Sequence, residues 1–202
     1  MNESVTNQTS SPLFLKVPEW DAYSTEQYAH AEIITISRQQ PTAWRSILQP
    51  LSQQTFRIHG KLRANRLNQD ICKLLKQLTP ASNIIYFQEW QQDITDIAQH
   101  FCRTMQIDYT WLSLTSERVC SKFHVDKTDM RLLVTYCGQG TQWADTREIK
   151  PTIQTIPTHH IALFKGNAEH LHHRSPTIQY PSILLRLDTP YFKMQYQQSK
   201  HT

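Results

Sequence analysis

Glycine is scarce in this chain, which has four glycines among its 202 residues. The sequence contains no G-x-G-x-x-G, no P-loop and no G-x-S-x-G motif, so the usual signatures of nucleotide binding and serine hydrolysis are missing. It also contains no apolar run approaching the roughly 20 residues that a membrane-spanning helix needs. These absences argue against nucleotide-dependent enzymes, serine hydrolases and membrane proteins.

Cysteine is also sparse. The four cysteines, Cys72, Cys102, Cys120 and Cys137, form no C-x-x-C pair, and a chain of this length does not need disulfides to stabilise a core. The opening stretch MNESVTNQTSSP has neither the basic start nor the apolar segment of a secretory signal. The sequence therefore predicts reduced thiols and a cytoplasmic protein.

The charge of the chain is only mildly positive, with 21 Lys and Arg against 17 Asp and Glu. The excess is scattered, which argues against a nucleic-acid partner. Hydrophobic residues make up 39% of the chain and charged residues 19%, as in ordinary globular proteins. We therefore expect a folded enzyme or binding protein, and the oligomeric state stays open.

The pattern of the chain changes near residue 107. We predict a flexible tail over residues 1–18 and a single domain over 19–202. Within 19–107, apolar residues at helical spacing predict helices over 67–78 and 90–105. The same half contains a short helix after Pro41 and a short strand in AEIITISR, residues 31–38.

The second half, residues 108–190, is rich in strand formers. The run YTWLSLTSERV alternates in part, while RLLVTYC, HIALFKG and SILLRLD are short apolar runs bounded by glycine or proline. These runs predict core strands of an antiparallel sheet or barrel. We expect an α+β fold in which the N-terminal helices brace a β-barrel.

A histidine and a carboxylate stand two residues apart in CSKFHVD, residues 120–126. On a regular strand, alternate side chains share a face, which places His124 and Asp126 together with Cys120 on the same side. A second histidine cluster, HLHHRSP, follows at residues 170–176. Two imidazoles and one carboxylate form a triad that leaves positions open on a metal, as in the non-haem Fe(II) oxygenases.

The order of these motifs resembles the double-stranded β-helix of the Fe(II)/2-oxoglutarate dioxygenases. The H-x-D comes first, followed by a strand ending in GQGTQW, the stretch IPTHHIALFKG, the distal histidine and a last apolar strand, over residues 120–188. The resemblance implies a jelly-roll or cupin-like barrel with Fe(II) and 2-oxoglutarate as cofactors. The implied reaction is the hydroxylation of an unknown substrate.

A second likeness covers more of the chain. CSKFHVD, RLLVTYCGQGTQW, LFKG and HRSP resemble an uncharacterised bacterial family, domain of unknown function eighteen twenty-six. Its members often lie near zinc-homeostasis genes, which implies a metal-linked role. The resemblance implies that His173, which stands before R-S-P, is the third ligand beside His124 and Asp126, with His172 and, more loosely, His170 as alternatives.

Cys120 supports a different interpretation of the same residues. A thiolate favours Zn²⁺ over an oxygen-activating iron site. Cys120, His124, Asp126 and His173 together would form a closed, four-ligand zinc site with no room for a substrate. The chain would then be a non-catalytic, cupin-like zinc-binding protein of metal homeostasis.

The co-substrate needs a basic anchor for its far carboxylate, and a bidentate arginine is the natural partner. Dioxygenases usually place this arginine on the last strand. Arg186 lies thirteen residues after His173, which is further than the usual spacing, and it shares a strand face with Ser182, a predicted second contact. Arg174 and Arg131 are alternative anchors, and an ion pair with a carboxylate is the other role open to Arg186.

Overall fold

The computed structural model describes residues 13–20, 30–78, 84–117, 120–177 and 181–190. The helices are α1 (Arg45–Ser52), which continues a short 3₁₀ turn, α2 (Leu67–Leu75) and α3 (Ile84–Met105). The strands are β1 (Phe14–Val17), β2 (Ile33–Ile36), β3 (Arg57–Arg63), β4 (Tyr109–Thr115), β5 (Met130–Cys137), β6 (Gln142–Asp145), β7 (Gln154–Thr155), β8 (Ile161–Lys165), β9 (Leu171–Arg174) and β10 (Ile183–Asp188).

The strands form two sheets. Seven of them make a large sheet in the order β1-β2-β8-β5-β10-β4-β3, in which β1 and β2 are parallel and the other neighbours antiparallel. The small sheet has the order β7-β6-β9. Its β9 edge is extended by His124, whose backbone exchanges hydrogen bonds of 2.9 and 3.0 Å with His173.

The large sheet packs on both faces because its side chains alternate. On one face, Leu132 and Leu185 join the main core together with Trp90 and Phe101 of α3. On the other face, residues of β2, β5 and β8 pack against the small sheet and form a second cluster. This cluster consists of Ile33, Leu133, Ile156, Ala162, Phe164 and Leu171. The chain is therefore α+β, mostly sheet, with helices covering one face of the large sheet and the small sheet covering the other.

The amphipathic helix α3 attaches to the large sheet through polar as well as apolar contacts. The Tyr136 hydroxyl of β5 donates a hydrogen bond of 2.6 Å to Asp93, which also pairs with Arg38. Burial raises the pKa of Asp93, against the opposing charge of Arg38. No helix among the described residues is long and apolar enough to cross a bilayer.

Most predicted elements are confirmed, including β2, β4, β5, β8, β10 and the helices of the N-terminal half. Strand β3 was not predicted. In this strand, buried Ile58 and Leu62 alternate with residues that do not face the core. Gly60 allows α2 to pack closely on the strand, since a Cβ atom at this position would lie 2.6 Å from the side chain of Leu74. The N-terminal half therefore contributes strands as well as helices.

The predicted tail over residues 1–18 is too long. Residues 14–17 form β1 and pair in parallel with β2, because FLKV supplies apolar side chains to the edge of the large sheet. Residues 1–12 and 191–202 lie outside the described residues. The division into one tail and one domain otherwise stays a prediction.

Glu32 fixes the turn that leads into β9. Its side chain is buried, and its carboxylate accepts hydrogen bonds from the backbone N–H groups of Glu169, His170 and Leu171 at 3.0, 3.0 and 2.7 Å. Charge-assisted bonds of this kind are stronger than neutral ones. Glu32 thereby ties the start of β9 to β2, two residues before His173.

Replacing Glu32 with alanine leaves these three N–H groups, of which that of Leu171 is buried and the other two are part-buried, without their partner. We expect the free energy of unfolding to fall by about 2–4 kcal/mol, measured by urea denaturation. Glu169→Ala is the matched control, since the Glu169 side chain is 82% exposed. Equal stability of the two variants would contradict this role of Glu32.

Candidate metal centre

His124, Asp126 and His173 converge where the small sheet faces the large one. One ligand atom from each lies within 4.8 Å of the others. His173 Nε2 is 3.2 Å from Asp126 Oδ2, and His124 Nε2 is 3.7 Å from Asp126 Oδ1. Two imidazoles and one carboxylate thus face a common point.

The two histidines are held by different neighbours. His124 Nδ1 lies 2.9 Å from the carbonyl oxygen of Lys122, and since a carbonyl can only accept, Nδ1 is the donor in this contact and Nε2 is the nitrogen available to a metal. The His173 ring packs against Phe164 of β8 at a centroid distance of 4.4 Å. Both rings are therefore oriented before any ligand binds.

Asp126 has one paired and one unpaired oxygen. Its side chain is 5% exposed. Oδ1 accepts from Arg131, while Oδ2 is buried and lies 3.2 Å from His173 Nε2 without accepting a well-aligned hydrogen bond from any described residue. Burial pushes the pKa of Asp126 up, but the nearby His173 and Arg131 outweigh it and hold the pKa below its ordinary value. A buried, ionised and unpaired oxygen is costly unless it has a partner that the structure does not contain.

His173 supplies the complementary lone pair. Burial lowers its pKa, although the neighbouring Asp126 acts in the opposite direction, so the imidazole is neutral at neutral pH, as metal ligands are. A neutral imidazole beside an unpaired carboxylate oxygen fits a divalent cation. Three such ligands leave further coordination positions open.

The other candidate ligands lie outside this group. Cys120 Sγ points to the carbonyl oxygen of Lys122 at 3.6 Å. Residues 120–126 are irregular and not a strand, so the alternation that placed Cys120 beside the ligands does not apply. On β9, His172 alternates with His173 and faces the opposite side, and His170 lies 3.7 Å from exposed Glu169.

A cavity of about 80 Å³ adjoins the metal group. His124 and His173 line one part of it, and Arg186, Ser113 and Thr115 line another. Arg186 Nε lies 3.1 Å from Asp188 Oδ2 but is buried and makes no hydrogen bond within the described part of the chain. Burial lowers the pKa of Arg186, against the opposing charge of Asp188.

Ser182 is not in this cavity. It lines a neighbouring one and donates its hydroxyl to the carbonyl oxygen of Ser116 at 3.2 Å. Ser182 precedes β10 and stands four residues before Arg186, so it lines the next cavity along the strand and not the one that Arg186 lines. The hydroxyl nearest Arg186 in register belongs to Ser113, its Cα partner on β4.

The two alternative anchors already have partners. Arg174 donates to Gln142 at 2.9 Å and stacks on Phe123 at 4.4 Å. Arg131 pairs with both Asp126 and Asp188. Of the three arginines that line the cavity, Arg186 is therefore best placed to receive an anion.

A larger cavity, of about 660 Å³, lies elsewhere, between α1 and the turn after β5. Its lining includes Gln40, Arg45 and Gln139. None of the described residues that line it belongs to the metal group, and none of them is a histidine or a carboxylate. Its size alone assigns it no chemistry.

Sequence reasoning missed Asp188 and the role of Arg131. Asp188 follows Arg186 by two residues, so the R-L-D sequence places both side chains on the site face of β10. The spacing of Arg186 and Asp188 could have been recognised in the sequence. The pairing of Asp188 with Arg131 could not have been predicted from the sequence, because it depends on the register between β10 and β5.

The chain belongs to the family described as "Protein of unknown function (DUF1826)", which matches residues 25–188. The match includes all three residues of the metal group, and it confirms the family resemblance seen in the sequence. No curated protein matches the chain.

Solved structures to which the chain shows similarity include dioxygenases. A rice dioxygenase for auxin oxidation aligns with TM-score 0.44 and 9% identity over 78% of this chain and 72% of that one. An oxidoreductase of the 2OG-Fe(II) oxygenase family from Burkholderia pseudomallei gives 0.42 and 8% over 81% and 86%. A Pseudomonas putida prolyl-4-hydroxylase gives 0.42 and 8% over 81% and 95%. At these values the likeness is distant, and the proposals below depend on the site itself.

Replacing Asp126 with asparagine removes the charged ligand with little change of shape. We expect Co²⁺ affinity, measured by titration calorimetry, to fall roughly 100-fold or more. Asp145→Asn is the control, because Asp145 pairs with exposed Arg147 on β6. Equal affinity in the two variants would contradict the metal site.

Proposed function

We propose that this protein is an Fe(II)/2-oxoglutarate-dependent oxygenase that hydroxylates an organic substrate, and that its two sheets form a jelly-roll barrel. One observation carries the proposal. The buried Oδ2 of Asp126, which accepts no well-aligned hydrogen bond from any described residue, lies beside two imidazoles and next to a cavity that contains an arginine.

In this proposal His124 Nε2, Asp126 Oδ2 and His173 Nε2 hold Fe(II). Bound Fe(II) and 2-oxoglutarate supply the O₂-dependent oxidising chemistry. The chain's own contribution is to present three fixed ligands, leave the remaining positions open and bury the site between two sheets. Phe164 beside His173 supplies an apolar wall that limits access of water.

The charges of the site support a dianionic co-substrate. The carboxylates of Asp126 and Asp188 are balanced by the guanidinium groups of Arg131 and Arg186. A divalent cation held by the metal group adds two positive charges to a partly buried site, where unbalanced charge is costly. A ligand with two carboxylates restores the balance.

Arg186 is the proposed anchor for the far carboxylate of 2-oxoglutarate. Its guanidinium lines the cavity with the hydroxyl residues Ser113 and Thr115, and a guanidinium can hold a carboxylate through two parallel hydrogen bonds. Ser113 and Thr115 take the part that the sequence assigned to Ser182.

The zinc-binding alternative loses its fourth ligand, since Cys120 lies outside the group of three. A three-ligand site that opens on a cavity suits catalysis better than storage. We therefore favour the oxygenase and propose that it acts in the cytoplasm, where its four free cysteines stay reduced.

Protein purified without oxygen and loaded with Fe(II) should convert 2-oxoglutarate slowly to succinate when O₂ is admitted, even without substrate. Arg186→Met should raise the 2-oxoglutarate concentration for half-maximal turnover about tenfold or more, because a charged hydrogen-bonding partner is lost. Succinate formation is followed by mass spectrometry.

Arg57→Met is the control, since Arg57 pairs with Glu117 and is half exposed. Co²⁺ affinity, measured in parallel, should be retained in Arg186→Met and shows that its metal site is intact. Wild-type protein that binds Fe(II) but produces no succinate would overturn the proposed function. Unchanged 2-oxoglutarate dependence in Arg186→Met would overturn the assignment of the anchor.

A further inference from the structure

Arg131 connects two carboxylates in the site. It lies on β5 directly opposite Asp188 on β10, and its side chain is 12% exposed. Nε donates to Asp188 Oδ1 at 2.6 Å and Nη2 to Asp188 Oδ2 at 3.2 Å, while Nη1 donates to Asp126 Oδ1. One edge of the guanidinium is thus fixed by Asp188, and the remaining nitrogen reaches Asp126.

This contact separates the two oxygens of Asp126. Arg131 occupies Oδ1, so Oδ2 is left facing His173 Nε2 at 3.2 Å. Asp126 lies in an irregular loop, where its own backbone carbonyl accepts from Asn167 at 2.8 Å. Asp126 therefore does not belong to a regular strand that would orient its carboxylate. The contact with Arg131 is the interaction that sets the rotation of this carboxylate about its side-chain bond.

We propose that Arg131 is a positioning residue that holds Asp126 for one-oxygen coordination of the cation, with Asp188 as the residue that orients Arg131. The inference rests on the metal-binding part of the proposed function. Arginine suits this task because its planar fork binds Asp188 through two nitrogens and still has a third donor for Asp126. A lysine ammonium has no such fixed geometry.

Charge and position predict different results for the same variant. Arg131→Met removes a positive charge near the cation, so simple Coulomb attraction predicts tighter metal binding. Loss of positioning predicts weaker binding. The single variant also removes the positive charge that pairs with two buried carboxylates, which destabilises the folded protein.

The double variant Arg131→Met with Asp188→Asn removes one charge of each sign and keeps the net charge of the site unchanged. A purely electrostatic role then predicts wild-type affinity for Co²⁺. The positioning role predicts affinity at least tenfold weaker, within the roughly 10- to 100-fold range typical of residues that orient metal ligands. It also predicts a changed Co²⁺ visible absorption spectrum, because the carboxylate is free to rotate.

The matched control is Arg147→Met with Asp145→Asn, which removes an ion pair at the end of β6 that lies outside the metal group and should leave Co²⁺ affinity and the spectrum unchanged. Arg131→Lys provides a second test that keeps the charge. Because lysine cannot contact both carboxylates in the same geometry, its affinity should fall between those of the wild type and the double variant.

The outcomes separate this inference from the proposed function. Wild-type protein that binds no Co²⁺ overturns both. Wild-type binding with equal affinity in the double variant and an unchanged spectrum overturns the positioning role alone. Should the double variant fail to fold, as judged by circular dichroism, wild-type affinity in Arg131→Lys overturns the positioning role, and weaker affinity with an altered spectrum supports it.

Discussion

The structure of this site depends on one buried carboxylate. Asp126 is ionised and 5% exposed, and one of its oxygens has no hydrogen-bond partner among the described residues. An unsatisfied charged group of this kind is destabilising in a protein interior. The surrounding residues reduce this cost. Arg131 compensates the charge on Oδ1, and the two histidines are placed so that a bound cation can compensate the charge on Oδ2.

The two sheets set the distances within this group. The large sheet carries Arg131, Arg186 and Asp188 on one face because its opposite face is buried against the helices, which fixes the direction of every alternate side chain. The small sheet carries His173, and the backbone bridge aligns His124 with it. The turn before β9 is held by Glu32, so residues far apart in the chain meet within a few ångströms.

The sequence was informative where local chemistry was sufficient. The apolar runs predicted β5, β8 and β10, the chemistry of H-x-D selected His124 and Asp126, and the family resemblance selected His173 as the third residue of the group that the structure brings together. Cys120 lines the cavity beside the metal group but is not one of its three ligand residues, because residues 120–126 are irregular and do not follow the alternation of a strand. Ser182 lines the neighbouring cavity because it stands four residues before Arg186, and its contact with a co-substrate stays a prediction.

What the sequence did not predict depends on contacts between distant strands. Asp188 pairs with Arg131 across β10 and β5, 57 residues apart, and Glu32 binds backbone groups 137 to 139 residues away. Strand β3 was missed because four of its seven residues are charged or histidine and only two, Ile58 and Leu62, carry the core-facing pattern.

The most direct test of the account is a crystal structure of the protein with Co²⁺, using anomalous scattering at the cobalt edge to locate the ion. We expect one strong anomalous peak that places the cobalt ion within coordination distance of His124 Nε2, Asp126 Oδ2 and His173 Nε2. Asp126 Oδ1 should still accept its hydrogen bond from Arg131. A peak at other residues, or no peak at this group in protein that is shown to contain cobalt, would contradict it.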